Sequence, residues 1–372
     1  MFDSRPVTDE DAVLGVRPRY VVEPSTVAEA AAVMRVAHEE GMTVVPRGNG
    51  TRLRWGAAPR ACDVVIDTRK LDRVIEHASG DLVVTVEAGL PVRALQDVLR
   101  TTGQQLALDS PLPSTVGGLV ATAAAGPRRL LYGAARDLLI GVTVVRADGT
   151  IVKSGGKVVK NVAGYDLGKL YTGSFGTLGL IVRASFRLHP LPEQQVYVTT
   201  DGRDPARRVQ ALLHGSLVPS AIEVDGDGTV AALFEGTAAW SRAEDAVELL
   251  GAGASASGTP PAWWGRYPEG DVLLEVQGKP TDLTGLLTVR DTWLRGSAGS
   301  GIWFLGTSAE AAPRVVAKLR EHLPTVVRQA PLELHETLDL WGPTPALSLM
   351  RRVKDQFDPD HRLSPGRFIG GI

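Results

Sequence analysis

The chain has 372 residues, 44% of them hydrophobic and 22% charged, a composition expected of a globular enzyme with two domains or one domain carrying a large insertion. Forty Lys and Arg against 42 Asp and Glu leave a net charge of −2, which excludes the concentrated positive field that binds nucleic acid or an anionic membrane. A single cysteine, Cys62, excludes an internal disulfide and any four-cysteine zinc or iron–sulfur centre, so any iron–sulfur acceptor belongs to another polypeptide.

The N-terminal residues Met1 to Pro6 are polar and Asp9-Glu10-Asp11 follows, so no signal peptide is expected. No run of about 18 apolar residues occurs, so no membrane span is expected. Tyr20-Val21-Val22 reads as a strand. Thr26 and Glu29 are spaced as a capping box for a helix carrying Val27, Ala30, Ala31, Met34 and Ala37 on one face, which Gly41 ends. Thr43 to Val45 is the next strand and runs into the turn Pro46-Arg47-Gly48-Asn49-Gly50-Thr51. Cys62, before Asp63 and the strand Val64-Val65-Ile66, reads as buried core. A strand over Leu82 to Val86 and a helix over Val92 to Arg100, ended by Gly103, come after it. Arg128-Arg129, like Arg351-Arg352 later, reads as a solvated surface pair.

Leu138 to Arg146 and Ile151 to Lys153 read as a hairpin, with Asp148-Gly149 supplying the positive φ angles of its turn. Strict alternation over Val182 to Leu188 marks a half-buried strand, stopped by His189-Pro190-Leu191-Pro192. Beyond this point the glycine motifs end. Strands at Ile222 to Val224, Val230 to Phe234 and Leu273 to Val276, and helices at Arg242 to Leu250 and Ala312 to Leu323, suggest a modest α+β module. Gly251 to Pro261 reads as a flexible loop. Leu347 to Phe357 is amphipathic and helical, and Asp358-Pro359-Asp360 stops it.

Three glycine-rich stretches occupy the first half. Bare backbone lets main-chain N–H groups approach a phosphate with no side chain in the way. Arg47-Gly48-Asn49-Gly50-Thr51 follows a strand, but Leu53 stands where a Rossmann fingerprint needs its third glycine. Neither Gly156-Lys157-Val158 nor Gly168-Lys169-Leu170 completes a Walker A loop. The stretch reads equally as a tight turn. Ser114 to Gly126 is a helix of small residues, suited to close packing or, at Gly117-Gly118, to an anion nest. Thr172 to Gly179 places three glycines ahead of the alternating strand. Three such stretches that fit neither template point to a different nucleotide-binding fold.

The order of these stretches, with Val86-Glu87-Ala88-Gly89, Tyr132-Gly133 and Asp148-Gly149-Thr150 between them, resembles the vanillyl-alcohol oxidase/p-cresol methylhydroxylase (PCMH-type) FAD-binding family over residues 17 to 191. A narrower likeness, carried by Val159 to Leu170 and by Pro219-Ser220-Ala221-Ile222-Glu223, is to the FAD-binding subunits of bacterial glycolate oxidases. The resemblance implies an α+β fold: a two-subdomain PCMH-type FAD-binding domain over 17–191, a small α+β cap or substrate module over 193–345, and a C-terminal segment, 346–372, returning to the first domain.

By the same resemblance, Pro46, Arg47, Gly48, Asn49, Gly50 and Thr51 cradle the FAD diphosphate. Thr115, Val116, Gly117, Gly118, Ala121, Thr122 and Gly126 approach the phosphates and the isoalloxazine edge, and Gly173, Ser174, Gly176, Thr177 and Ile181 the adenosine and ribityl end. Leu363-Ser364-Pro365-Gly366-Arg367 resembles the closing motif of the family, which usually has Asn where this chain has Ser364. Members that bond FAD covalently through the first loop place a histidine about where Thr51 stands, so non-covalent FAD is expected.

No metal is expected, because catalytic members carry a histidine-rich metal motif whereas residues 193 to 345 hold only His214, His322 and His335. His335-Glu336 could be a base and its neighbour, but reads first as an exposed loop histidine, and no catalytic base is assigned. The implied function is a cytoplasmic FAD-dependent subunit oxidising a small 2-hydroxy acid to a 2-oxo acid. A second flavoprotein subunit and an iron–sulfur subunit are the implied partners, which could hold the protein at the inner membrane face. The alternatives are a self-sufficient FAD oxidase or dehydrogenase acting on another alcohol or a sugar lactone, and a non-catalytic flavoprotein scaffold.

Overall fold

In the computed structural model, which describes residues 4–156 and 166–372, the chain divides into two units. The first comprises Met1–Ala124, Ala134–Pro190 and Thr344–Ile372, and the second Ala125–Gly133 and Leu191–Pro343. Residues 159–165 of the segment singled out above lie outside the described residues.

Among the described residues, the first unit holds ten strands: β1 Tyr20–Val22, β2 Val44–Arg47, β3 Val64–Asp67, β4 Val74–Ala78, β5 Val83–Glu87, β6 Gln104–Gln105, β7 Leu139–Val145, β8 Ile151–Gly155, β9 Leu180–Arg187 and β10 His189–Pro190. A parallel three-stranded sheet runs β1-β3-β2, and an antiparallel five-stranded sheet runs β4-β5-β9-β7-β8. The helix Val27–Glu39 starts where Thr26 Oγ1 accepts the Glu29 main-chain N–H at 3.1 Å. The other half of the expected capping box goes elsewhere, because the Glu29 carboxylate accepts from the Ser25 N–H at 2.8 Å. Ala30, Ala31, Met34 and Ala37 of this helix share one core with Val44, Val64 and Ile66 of the small sheet and Val145, Leu180 and Val182 of the large one. Leu363, from the C-terminal stretch, joins the same core.

In the β7–β8 hairpin only Gly149 takes a positive φ, +82°, rather than both turn residues. Cys62 is buried, as its surroundings suggested, and burial pushes its thiol up to about 12.

The second unit is built on one eight-stranded antiparallel sheet, in the order β14-β11-β13-β12-β16-β17-β15-β18. Its strands are β11 Gln195–Thr199, β12 Ala221–Asp225, β13 Val230–Glu235, β14 Ser255–Ser257, β15 Val272–Gln277, β16 Thr292–Ser297, β17 Ile302–Thr307 and β18 Thr325–Gln329. The expected flexible loop over 251–261 therefore contains a short edge strand, β14, paired with β11. Arg128 is no solvated residue: its side chain is 12% exposed and pairs with Glu235 at 3.6 Å, a buried charge answered by another. Arg351 and Arg352 are exposed. Among the described residues, no helix is long and apolar enough to cross a membrane.

Candidate functional site

β2 delivers the first glycine stretch. Parallel pairing sets Arg47 beside Asp67, and the buried guanidinium of Arg47 donates to Asp67 at 2.9 and 3.2 Å and contacts Asp11 at 2.9 Å. The Arg5 hydrogen bond, against the effect of burial, holds the Asp11 carboxyl well below the usual carboxylate range. Burial pushes the Asp67 carboxyl up, but hydrogen bonds from Arg69 and Arg47 outweigh it and keep its value low. Arg47 is thus fully matched by carboxylates, and its role is to anchor the loop.

The loop itself is bare. The main-chain N–H groups of Asn49, Gly50 and Thr51 have no protein acceptor among the described residues, and Gly50 sits at φ +72°. Asn49 is pinned by its side chain, which donates to the Pro113 carbonyl at 3.1 Å.

The second stretch behaves differently. Thr115 caps the helix Val116–Thr122 by accepting the Gly118 N–H, and Gly117 donates to the Ala88 carbonyl at 2.7 Å. The adjacent glycines are therefore not an open anion nest, because their donors are already engaged. Their contribution is closeness: a Cβ on Gly117 would stand 2.8 Å from the Ala88 Cβ, and one on Gly48 would overlap Thr115 Oγ1.

The third stretch is stitched to this helix. Gly173 donates to Val120 at 2.9 Å and Phe175 to Ala121 at 2.8 Å. Gly176, at φ +72°, lies so near the first loop that an added Cβ would be 3.1 Å from Pro46.

The C-terminal stretch closes the fourth side. Val44 donates to the Arg362 carbonyl and Ser364 to the Val44 carbonyl, so the strap runs beside β2. It is held from below by Lys354, fully buried, which donates to Asp358 at 2.6 Å, to the Thr177 carbonyl at 2.8 Å and to the Leu363 carbonyl at 3.0 Å.

These four walls enclose an open cleft of about 580 Å³. Of the residues expected from sequence, Pro46 to Thr51, Thr115, Gly118, Ala121, Thr122 and Gly176 line it. Gly117 and Ile181 line an adjoining space of about 370 Å³ that shares Pro46, Arg47 and Gly48 with the first. Val116 is packed into the core. Gly126 lies in the second unit. Gly173, Ser174 and Thr177 face instead an apolar groove with Leu349, Met350 and Val353.

Sequence reasoning missed Arg52 in the cleft wall and quoted Ser114 and Arg367 only as parts of their motifs, with no place among the cofactor-binding residues. Arg52 lies over the Trp55 ring and donates to Ser110 and Ser114. No spacing signal joins Arg52 to serines about 60 positions further along the chain. His335 is half-buried rather than exposed, its Nε2 3.3 Å from the Ala330 carbonyl.

Residues 18–155 match the FAD binding domain family. The first unit carries an FAD-binding domain. The domain fits the dinucleotide on its own geometry: bare loop donors, glycine approaches that a methyl group would fill, and the Ser364 Oγ, buried in the cleft wall with no partner.

The chain is 36% identical over 182 residues to a probable mitochondrial D-lactate dehydrogenase of Danio rerio, a match covering 48% of this chain and 37% of that protein. It is 32% identical over 216 residues to the glycolate oxidase subunit GlcD of Bacillus subtilis, covering 55% of this chain and 45% of that subunit. The chain thus spans less than half the length of either relative. A solved alkyldihydroxyacetonephosphate synthase shares the fold, with a TM-score of 0.71 at 16% identity over 94% of this chain and 77% of that one.

Proposed function

We propose that the chain is an FAD-dependent oxidoreductase subunit that takes part in oxidising a small 2-hydroxy acid to the 2-oxo acid. The observation that carries this reading is the convergence of three glycine stretches on one cleft whose first-loop donors have no protein partner. The substrate class is supported by the relatives, whose names are those of enzymes or subunits for D-lactate and glycolate.

Within this reading, the N–H groups of Asn49 to Thr51 hold the diphosphate, and Gly48, Gly117 and Gly176 let the surrounding stretches close up on one another to form the cleft. The Ser364 hydroxyl, unpartnered in the cleft wall, is a donor toward the flavin. Bound FAD supplies the acceptor for the hydride that leaves C2 of the hydroxy acid, while the hydroxyl proton goes to a base. Thr51 offers no imidazole for a covalent link, so FAD is held non-covalently. Electrons then pass to a partner, in an assembly with a second flavoprotein subunit and an iron–sulfur subunit.

The test is an absorbance spectrum of the purified chain followed by anaerobic titration with glycolate and D-lactate, alone and with co-purified partners. A flavin spectrum, bleaching with a 2-hydroxy acid, and release of free FAD on acid precipitation are expected. A colourless protein that releases no FAD would overturn the reading. Flavin that no 2-hydroxy acid bleaches, with partners present, removes the substrate class.

A further inference from the structure

The cleft wall includes a cation that the fold leaves without a counter-charge. Arg367 is 3% exposed and belongs to the C-terminal strap. Its Nη2 donates to the carbonyls of Leu53 and Trp55, both at 2.8 Å. Its Nε is buried with no partner, and among the described residues no carboxylate pairs with the guanidinium. Burial pushes this group down to about 10, with only the Cys62 thiol opposing. A buried cation left in this state is destabilising until an anion completes it.

The anion must come from outside the described protein. Arg47, on the same cleft, is already matched by Asp11 and Asp67, Arg52 spends its Nη1 and Nη2 on Ser114 and Ser110, and the amides of Asn49 to Thr51 carry only partial charge. A diphosphate held by those amides would still need a full positive charge within the low-dielectric wall. We propose that Arg367 is the charge-neutralising ligand of the cofactor's diphosphate, with its guanidinium held in place by the Leu53 and Trp55 carbonyls. This rests on the FAD reading and adds to it a side-chain charge that the glycine loops do not provide.

The test uses the full-length apoprotein, Arg367→Met and Arg367→Lys. FAD affinity is read from the quenching of flavin fluorescence at several salt concentrations. Inorganic pyrophosphate is used as a separate probe, read from the melting temperature. Arg367→Met is expected to weaken FAD binding about 10- to 100-fold, the loss of one charged hydrogen-bonding group, and to flatten the salt dependence. Arg367→Lys keeps the charge and should retain most of the affinity. Pyrophosphate should raise the melting temperature of the wild type and of Arg367→Lys, but not of Arg367→Met.

Unchanged FAD affinity in Arg367→Met overturns the proposal. So does a lysine variant as weak as the methionine one when both apoproteins melt early, since that marks a purely structural arginine. If pyrophosphate stabilises the wild type through Arg367 while FAD does not bind, the anion site stands and the cofactor reading falls. If FAD binds and only the KM for glycolate follows Arg367, the reverse holds.

Discussion

Gly48 lies where the first loop meets the cap of a helix whose residues are far away in sequence, and its missing side chain is what lets Thr115 Oγ1 sit there. Gly48→Ala should therefore push the loop off Thr115 at a cost of about 1–3 kcal/mol, the range for overpacking. FAD affinity, measured by fluorescence titration, should fall at least tenfold. Asp11 gives a second, pH-dependent test. Its folded value is depressed by Arg5 and Arg47, so its stabilisation is fully present above the ordinary carboxylate value of about 3.9 and is lost as pH falls below it. Asp11→Asn should destabilise the protein by about 2 kcal/mol at pH 7, because a buried Arg47 loses one of two carboxylates. Denaturant melts should show the gap from wild type closing below about pH 4. At this scale the glycines were legible because they cluster after a strand. The pairing of Asp11 and Asp67 with Arg47, and the burial of Arg367 without a carboxylate, were not, because neither has a local spacing signature.

The helix Leu347–Phe357 fixes the C-terminal strap through Lys354, whose ammonium lies among the Asp358 carboxylate and two carbonyls from separate stretches. Lys354→Met should cost about 3–5 kcal/mol, since it leaves Asp358 buried without its cation. A double variant, Lys354→Met with Asp358→Asn, should lose markedly less than the sum of the two single changes, as urea denaturation would report. This helix was readable from its apolar spacing. So was Val92–Arg100, with Val92, Leu95 and Leu99 turned inward. The helix Pro205–His214 escaped because its buried face carries Arg208 beside Val209 and Leu212, and the guanidinium is used on Asp201 and the Ala252 carbonyl. β16 and β17 escaped for another reason. Their pairing is long-range in the sheet, and a short strand containing Arg295 and Gly296 shows little alternation.

For the molecule as a whole, FAD binding should raise the stability of the first unit alone. Free FAD at a hundredfold excess over its Kd should add about 2.7 kcal/mol to that unit by mass action. In a calorimetric scan of the full chain, the transition that FAD raises should be the one that Gly48→Ala lowers, while the transition of the eight-stranded sheet stays in place. The glycine motifs stop near Leu191, where the chain passes into the second unit, but nothing in them marks Ala125–Gly133 as part of that unit. The sheet order of the second unit was not legible in the sequence, because strand order is decided by contacts between distant residues rather than by any local pattern.

The first unit is assembled from three separate lengths of chain, and the last, Thr344–Ile372, brings Ser364 and Arg367. A ribosome releases residues in order, so this final wall emerges only after Leu191–Pro343 has been synthesised. A nascent chain can display the Arg47–Thr51 loop early, yet it has nothing to shut the dinucleotide in. The strap must therefore be in place before the cleft can retain flavin, so a chain cut back to Pro343 should fail to hold FAD that the chain carrying Thr344–Ile372 keeps.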